Sequence, residues 1–315
     1  MKFNHLRRFV AVAERGSMRS AARELGIPQP VITRSIQELE RELGVQLFER
    51  SINGIVLTPI AEKILRRAKV METEMERTLE EVDQYKGKEV GTLTIGLSSG
   101  AHVGILPKVL APFRKRYPKV RIKVVEGLFP KLETDIRDGI IELYVGPIPR
   151  ERFGADLTVD LLFENQRIIV GRQGHPLSQA TSIMDLKDAQ WVATPVMMDS
   201  ENEVNAIYTA VDMPPPNIVA QASSGLSILS IVASSDLLAP LPHLWSDFIS
   251  STKFACIIPI KQTTFSPPIC VARQSRLLLS PPGQFFTDLV HRVAVNHKRS
   301  LVSSVESGGT LPPPL

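Results

Sequence analysis

Apolar residues through position 58 recur at steps of three and four, the spacing of helices packed on a core. Leu6, Phe9, Val10 and Ala13 predict a helix over residues 4–14, ended by Gly16. Ser17 is an N-cap for a second helix, with Met18, Ala21, Ala22 and Leu25 on its inner face and Gly26 at its close. A third helix begins between Pro28 and Pro30, because proline is tolerated in a first turn, and runs to Leu43. Its buried stripe is Ile32, Ile36, Leu39 and Leu43. Two short strands follow, at 46–50 and 54–58, around the hairpin signal Asn53-Gly54. Thr58 then caps a long helix with Pro59 in its first turn and no breaker before Gly87. Ile64, Ala68, Met71, Met75, Val82 and Tyr85 step along it by four and three, missing one at Thr78, as in a coiled coil.

After Gly87 and Gly91 the pattern changes to alternation. Leu93, Ile95 and Leu97 predict a strand, 106–117 a helix, 120–124 a second strand, 132–138 a helix and 140–146 a third strand. Strand-helix-strand order of this kind predicts a parallel α/β sheet. Similar units recur as strands at 167–171, 191–194, 218–222 and 256–260, with helices at 203–211, 226–234 and 285–297. Pro214–Pro216 reads as a loop, and residues 299–315, rich in Ser, Gly and Pro, read as a disordered tail.

Charge adds a clue that overall composition does not. The net charge of +4 on 315 residues is small, but basic residues outnumber acidic ones up to position 70, and the sign reverses from Glu72 to Glu89. A basic head beside an acidic helix suits a nucleic-acid-binding module of limited extent. No apolar run of roughly eighteen residues is present, so no membrane span is expected. The N-terminus lacks the apolar core of a signal peptide, which points to the cytoplasm. Cys256 and Cys270 have neither CxxC spacing nor a His cluster beside them, so no metal site is expected and both read as reduced thiols.

Three short helices and a hairpin make a winged helix-turn-helix, whose third helix enters the DNA major groove. Opposite its buried stripe that helix presents Gln29, Thr33, Arg34 and Gln37. Arginine grips guanine through two hydrogen bonds, glutamine pairs with adenine, and the threonine methyl touches thymine. A solvated helix face would use the same residue types. The ordered run Leu6-x-x-Phe9, Ala11-Val12-Ala13-Glu14-x-Gly16-Ser17, Ala21-Ala22-x-x-Leu25, Gln29-Pro30, Leu39-Glu40-x-x-Leu43-Gly44, Leu47-Phe48-x-Arg50 and Leu57-Thr58-Pro59 resembles the LysR-type transcriptional regulators. Two later segments are similar to that family's effector domain. They are Leu106-Pro107 with Phe113-x-x-x-Tyr117-Pro118-x-Val120, and Leu132-x-x-x-Ile136-x-x-Gly139-x-x-Glu142-Leu143. The resemblance spans about residues 1–298.

The resemblance implies that Gln29, Pro30, Thr33 and Arg34 sit against base pairs, with Arg50 and the hairpin tip at Asn53 near the backbone or minor groove. It also implies homodimers through the linker helix, paired into homotetramers. Three positions depart from the family pattern. Pro28 replaces a capping serine, Asn53 a basic wing tip, and Glu62 the glycine early in the linker helix.

The second half has no GxSxG, Walker-type GxxxxGK or HExxH, so no catalytic residues are assigned, no cofactor is expected, and an enzyme is not the reading. Ser98 and Ser99 follow a strand end and precede a helix, the edge at which open α/β folds bind ligands. A simple capped turn would look the same. By analogous position Phe129 and Thr194 join them as effector-binding candidates, although Phe129 fits a core equally well. An aromatic or anionic small molecule is the expected effector.

The expected architecture is therefore an α/β chain with an N-terminal winged helix-turn-helix over 1–58, a dimerising linker helix over 59–88 and a two-lobed effector domain over 89–298. That domain resembles periplasmic solute-binding proteins, with lobe one near 91–162 plus 268–298 and lobe two near 163–267. Expected partners are double-stranded DNA, the effector, a second copy and, for an activator, RNA polymerase. The rivals are a solute-binding protein, a small-molecule enzyme carrying a DNA-binding module, and a purely architectural DNA binder.

Overall fold

A computed structural model describes residues 2–51, 54–86, 90–193, 202–262 and 265–306, and the chain divides into two compact units, Met1–Lys88 and Glu89–Leu315. The first holds helices α1 (Phe3–Arg15), α2 (Met18–Leu25) and α3 (Gln29–Leu43), strands β1 (Phe48–Ser51) and β2 (Gly54–Leu57), and the long helix α4 (Pro59–Tyr85). The predicted apolar stripes converge on one core, in which Phe9, Ile32, Leu39 and Leu47 are fully enclosed, except that Leu43, expected in the stripe of α3, is exposed in its last turn. Gly26 takes a φ of 64° between α2 and α3, a left-handed turn that a side chain disfavours. Thr58 joins the wing to α4: its hydroxyl donates to the Gln46 carbonyl at 2.8 Å and accepts from the Ala61 N–H at 3.2 Å. Lys69 to Glu14 at 2.7 Å and Arg7 to Glu72 at 3.7 Å tie α1 to α4.

The apolar stripe of α4 changes its role along its length. Ala68 is buried in the core of this unit and Ile64 packs against it, whereas Met71, Met75, Leu79 and Val82 are 42–60% exposed. Tyr85 closes the helix.

The second unit opens with β3 (Val90–Leu97), α5 (Ser99–Gly104), α6 (Leu106–Arg116), β4 (Lys119–Glu126), α7 (Phe129–Arg137) and β5 (Leu143–Pro147). The sixteen-residue strand β6 (Leu157–Arg172) leads into β7 (Gln190–Ala193), α8 (Asn202–Thr209), β8 (Asn217–Gln221), α9 (Gly225–Ser234), β9 (Leu237–Pro242), α10 (Ser246–Ser251) and β10 (Ala255–Ile258). Then β11 (Phe265–Gln274) returns and α11 (Pro281–Glu306) ends the described chain. The strand order is β4-β3-β5-β11-β6-β9-β7-β8, with β10 also on β6.

Only the triplets β4-β3-β5 and β8-β7-β9 are parallel. The parallel pairing expected from strand-helix-strand order holds within these triplets, and the sheet as a whole is mixed because β11 and β6 run antiparallel where the chain passes between lobes. Residues Leu157–Gln166 of β6 pair with β11, and Arg167–Val170 pair with β9. Two cores flank this crossing. One gathers Leu93, Ile95, Phe113, Val145 and Phe286; the other gathers Ile169, Ile183, Trp191, Val204 and Tyr208. A second correction concerns the end of the chain, where α11 continues through Glu306 in place of a disordered stretch from 299. Residues 307–315 lie outside the described residues.

In the second core the buried Trp191 indole donates to the Tyr208 hydroxyl at 3.0 Å, which in turn donates to the Leu186 carbonyl at 2.5 Å. Removing that hydroxyl leaves a buried donor and a buried acceptor unpaired. Tyr208→Phe should therefore destabilise the second unit by about 1–3 kcal/mol. Urea unfolding followed by tryptophan fluorescence checks this; a midpoint equal to wild type refutes it.

Candidate functional site

The outer surface of α3 rests on how the helix begins and which way its side chains point. Pro28 is the N-cap, with ψ of 139° and no side-chain cap, so the helix proper starts at Gln29. Ile32, Ser35, Ile36 and Leu39 turn inward. Gln29, Pro30, Thr33, Arg34 and Gln37 line a shallow concave surface on the other side, joined by Glu38 and Arg41. The Thr33 hydroxyl donates to the Gln29 carbonyl at 3.2 Å. Arg34 is 82% exposed, and its Nε lies 3.1 Å from Glu38 Oε1. Glu38 Oε2 is 3.4 Å from Nε2 of the buried His5 on α1. Sequence reasoning missed Glu38 and Arg41, which follow Arg34 at the helical steps of four and seven. In the wing, Arg50 stands opposite Ile55 in the ladder, and Asn53 lies outside the described residues.

The second unit carries a cleft of about 810 Å³ between its lobes. Ser98 and Ser99 line it from lobe one, and Ser223, Ser224 and Gly225 from lobe two. Ser98 is buried and caps α5, accepting from the Ala101 N–H at 3.3 Å, while its own N–H donates to Val145 at 3.0 Å. That close approach requires glycine at 146, since a Cβ there would lie 2.8 Å from the Ser98 Cβ. Ser99 is half-buried. Lys131, Arg152 and Arg167 bring positive charge to the lining, and Glu126 brings negative. Arg152 is held by Glu133 at 3.0 Å, and Glu133 also takes Arg137 at 2.8 Å.

Phe129 does not line this cleft. It is fully buried as the first residue of α7 and packs edge-on against Tyr144, 5.7 Å between ring centroids, because the apolar side of α7 turns into the lobe. Its neighbours Leu128 and Pro130 reach the lining instead. Thr194 lies outside the described residues. Asn165 and Arg167 at the crossing were missed, since nothing local in the sequence marks where β6 changes lobes. Among the described residues no group of three His, Cys, Asp or Glu side chains could hold a metal, and no helix is long and apolar enough to cross a membrane.

Comparison with known proteins accounts for both units. Residues 3–62 match the family model described as bacterial regulatory helix-turn-helix protein, lysR family, and residues 86–295 match that of the LysR substrate binding domain. The HTH-type transcriptional regulator TdcA of Escherichia coli (strain K12) is 28% identical over 262 residues, 83% of each chain. The crystal structure of CbnR, a LysR family transcriptional regulator, superposes with a TM-score of 0.73 at 20% identity, covering 93% of this chain and 99% of that one. Full-length CbnR complexed with its target DNA gives a TM-score of 0.71 at 21% identity, covering 93% and 100%.

Neither cysteine lines the cleft. Both are free thiols, Cys256 half-buried on β10 and Cys270 buried on β11. Burial pushes both thiols up, Cys270 to about 12. A raised value shrinks the thiolate fraction at neutral pH, and thiolate is the nucleophile. Iodoacetamide at neutral pH should leave Cys270 unmodified in the folded protein and alkylate both residues in urea, as read by peptide mass spectrometry. Rapid labelling of native Cys270 would contradict its assigned burial.

Proposed function

The chain belongs to the LysR family of bacterial transcriptional regulators, and from that premise we propose that α3 reads DNA bases while a small-molecule effector in the cleft controls the regulator. As a member of that family it is a regulator and not an enzyme. The observation that carries the DNA half is the one-sided display on α3: Gln29, Pro30, Thr33, Arg34 and Gln37 share the face opposite the core. Arg34 pairs bidentately with guanine, Gln29 and Gln37 with adenine, and the Thr33 methyl meets thymine, its hydroxyl already being turned back to Gln29. Pro30 packs against a base pair. Arg50 and the hairpin tip at Asn53 lie along the backbone or minor groove.

In the second unit Ser98, Ser99 and Thr194 contact the effector, which is aromatic or anionic. Two copies pair through α4, where Met71, Met75, Leu79 and Val82 offer an exposed apolar stripe, and dimers pair again into tetramers. The regulator works in the cytoplasm, with RNA polymerase as a further partner where it activates.

Two measurements test this reading. Arg34→Ala should weaken binding to an operator by about 1–3 kcal/mol and binding to random DNA much less. Equal losses would make Arg34 a phosphate contact. Changing Met71 and Met75 together to Lys should split the assembly in sedimentation, because charges forced into a helix seam oppose pairing. An unchanged assembly size would refute pairing through this stripe.

A further inference from the structure

We propose that Asn165 and Arg167, where β6 passes between the lobes, form a carboxylate-binding end of the cleft, so that the effector is a small organic carboxylate with an apolar body. The inference rests on the cleft reading above and adds the chemical class of the ligand.

Three observations converge on it. The first is an unmet donor. Asn165 is 2% exposed and lines the cleft, and its Nδ2 has no hydrogen-bond partner. A buried polar atom without a partner costs about 1–3 kcal/mol, so native structures retain few of them. The local backbone offers little relief. Asn165 stands opposite Ser266, and the ladder is broken between Ser266 and Ile269, where Pro267 and Pro268 lie. An acceptor brought by a ligand completes the amide.

The second observation is placement. Residues 165 and 167 share a strand face, because side chains alternate. The Arg167 guanidinium is held by the Ser266 hydroxyl at 3.0 Å and also lines the cleft. An amide N–H and a guanidinium on one face suit the two oxygens of a planar carboxylate. The start of the ten-residue helix α9 also lines the cleft through its cap Ser224 and Gly225, which adds the positive end of a helix to the same space.

The third is the remaining lining. Leu128, Ile228, Leu241 and Ile269 are apolar, and Pro147 and Pro242 have no N–H. Beside the charged Glu126, Lys131 and Arg152, these apolar residues give the body of the ligand hydrocarbon to pack against. Asn165 pairs with β11 and Arg167 with β9, so a bound carboxylate bridges the point at which β6 changes partner strand.

The test uses full-length protein with cyclohexanecarboxylate, the neutral cyclohexanecarboxamide and the cationic cyclohexylmethylamine in calorimetric titrations. Wild type should bind the carboxylate at least about tenfold more tightly than the carboxamide, the scale of one charge-assisted hydrogen bond. Asn165→Leu should lose about tenfold for the carboxylate. Asn165→Asp should reverse the order, rejecting the carboxylate and accepting the amine. Circular dichroism identifies any variant that misfolds, and the Leu variant decides if the Asp variant does. No binding of the carboxylate, or equal binding of carboxylate and carboxamide by wild type, overturns the ligand class. Ser99→Ala separates the two readings. If it weakens carboxylate binding while both Asn165 variants bind like wild type, this inference falls and the cleft stands. If none of the three variants changes binding, the compound sits elsewhere and the cleft reading falls as well.

Discussion

One strand carries the hydrogen-bond ladders of both lobes of the second unit. β6 gives its first ten residues to β11 and its last six to β9 and β10, so neither lobe's sheet is complete without it. Backbone donors and acceptors that are buried must be paired, which makes this shared ladder costly to break. The lobes therefore keep a common spine while the cleft opens beside it. The half-sheets differ in strand pairing on either side of the change between Gln166 and Arg167.

On the DNA-facing surface a different exchange operates. Arg34 is held by Glu38, whose second oxygen lies near His5. An exposed ion pair contributes about 1 kcal/mol at most, less than the about 1–3 kcal/mol of a bidentate guanine contact. Under the base reading proposed above, guanine would compete with Glu38 for the guanidinium, and Glu38 left behind would repel phosphate.

The first unit was legible because its signals are local. The Thr58 cap, the turn at Gly26 and the stripes of α1 to α3 each follow from a few neighbouring residues. The second unit was legible in its parallel βαβ units and hidden in its antiparallel strands. β9 carries Pro240 and Pro242 and β11 carries Pro267 and Pro268, which weaken a strand signal, and the latter two fall where the β11–β6 register is interrupted. The early part of β6 was missed because Asp160, Glu164 and Asn165 interrupt its apolar pattern. The cleft is assembled from seven distant stretches of chain. Ser98 and Ser99 were visible as a strand-to-helix turn, whereas Asn165 and Arg167 acquire meaning only once the crossing is known. Phe129 failed as a cleft residue because α7 begins three residues earlier than the predicted start at 132 and turns that ring inward.

The Thr58 junction has a mechanical consequence. With its hydroxyl bonded on both sides and α1 tied to α4 by ion pairs, the DNA-reading head and the first turns of the helix move as a single piece. The 27 residues of α4 make an arm of about 40 Å. A tilt of a few degrees applied at its far end displaces the head by about 3 Å, close to the rise of one base pair. In the regulator proposed above, such an arm would turn a small angular change into a displacement of about one base-pair step, and its stiffness would set how faithfully that displacement is passed on.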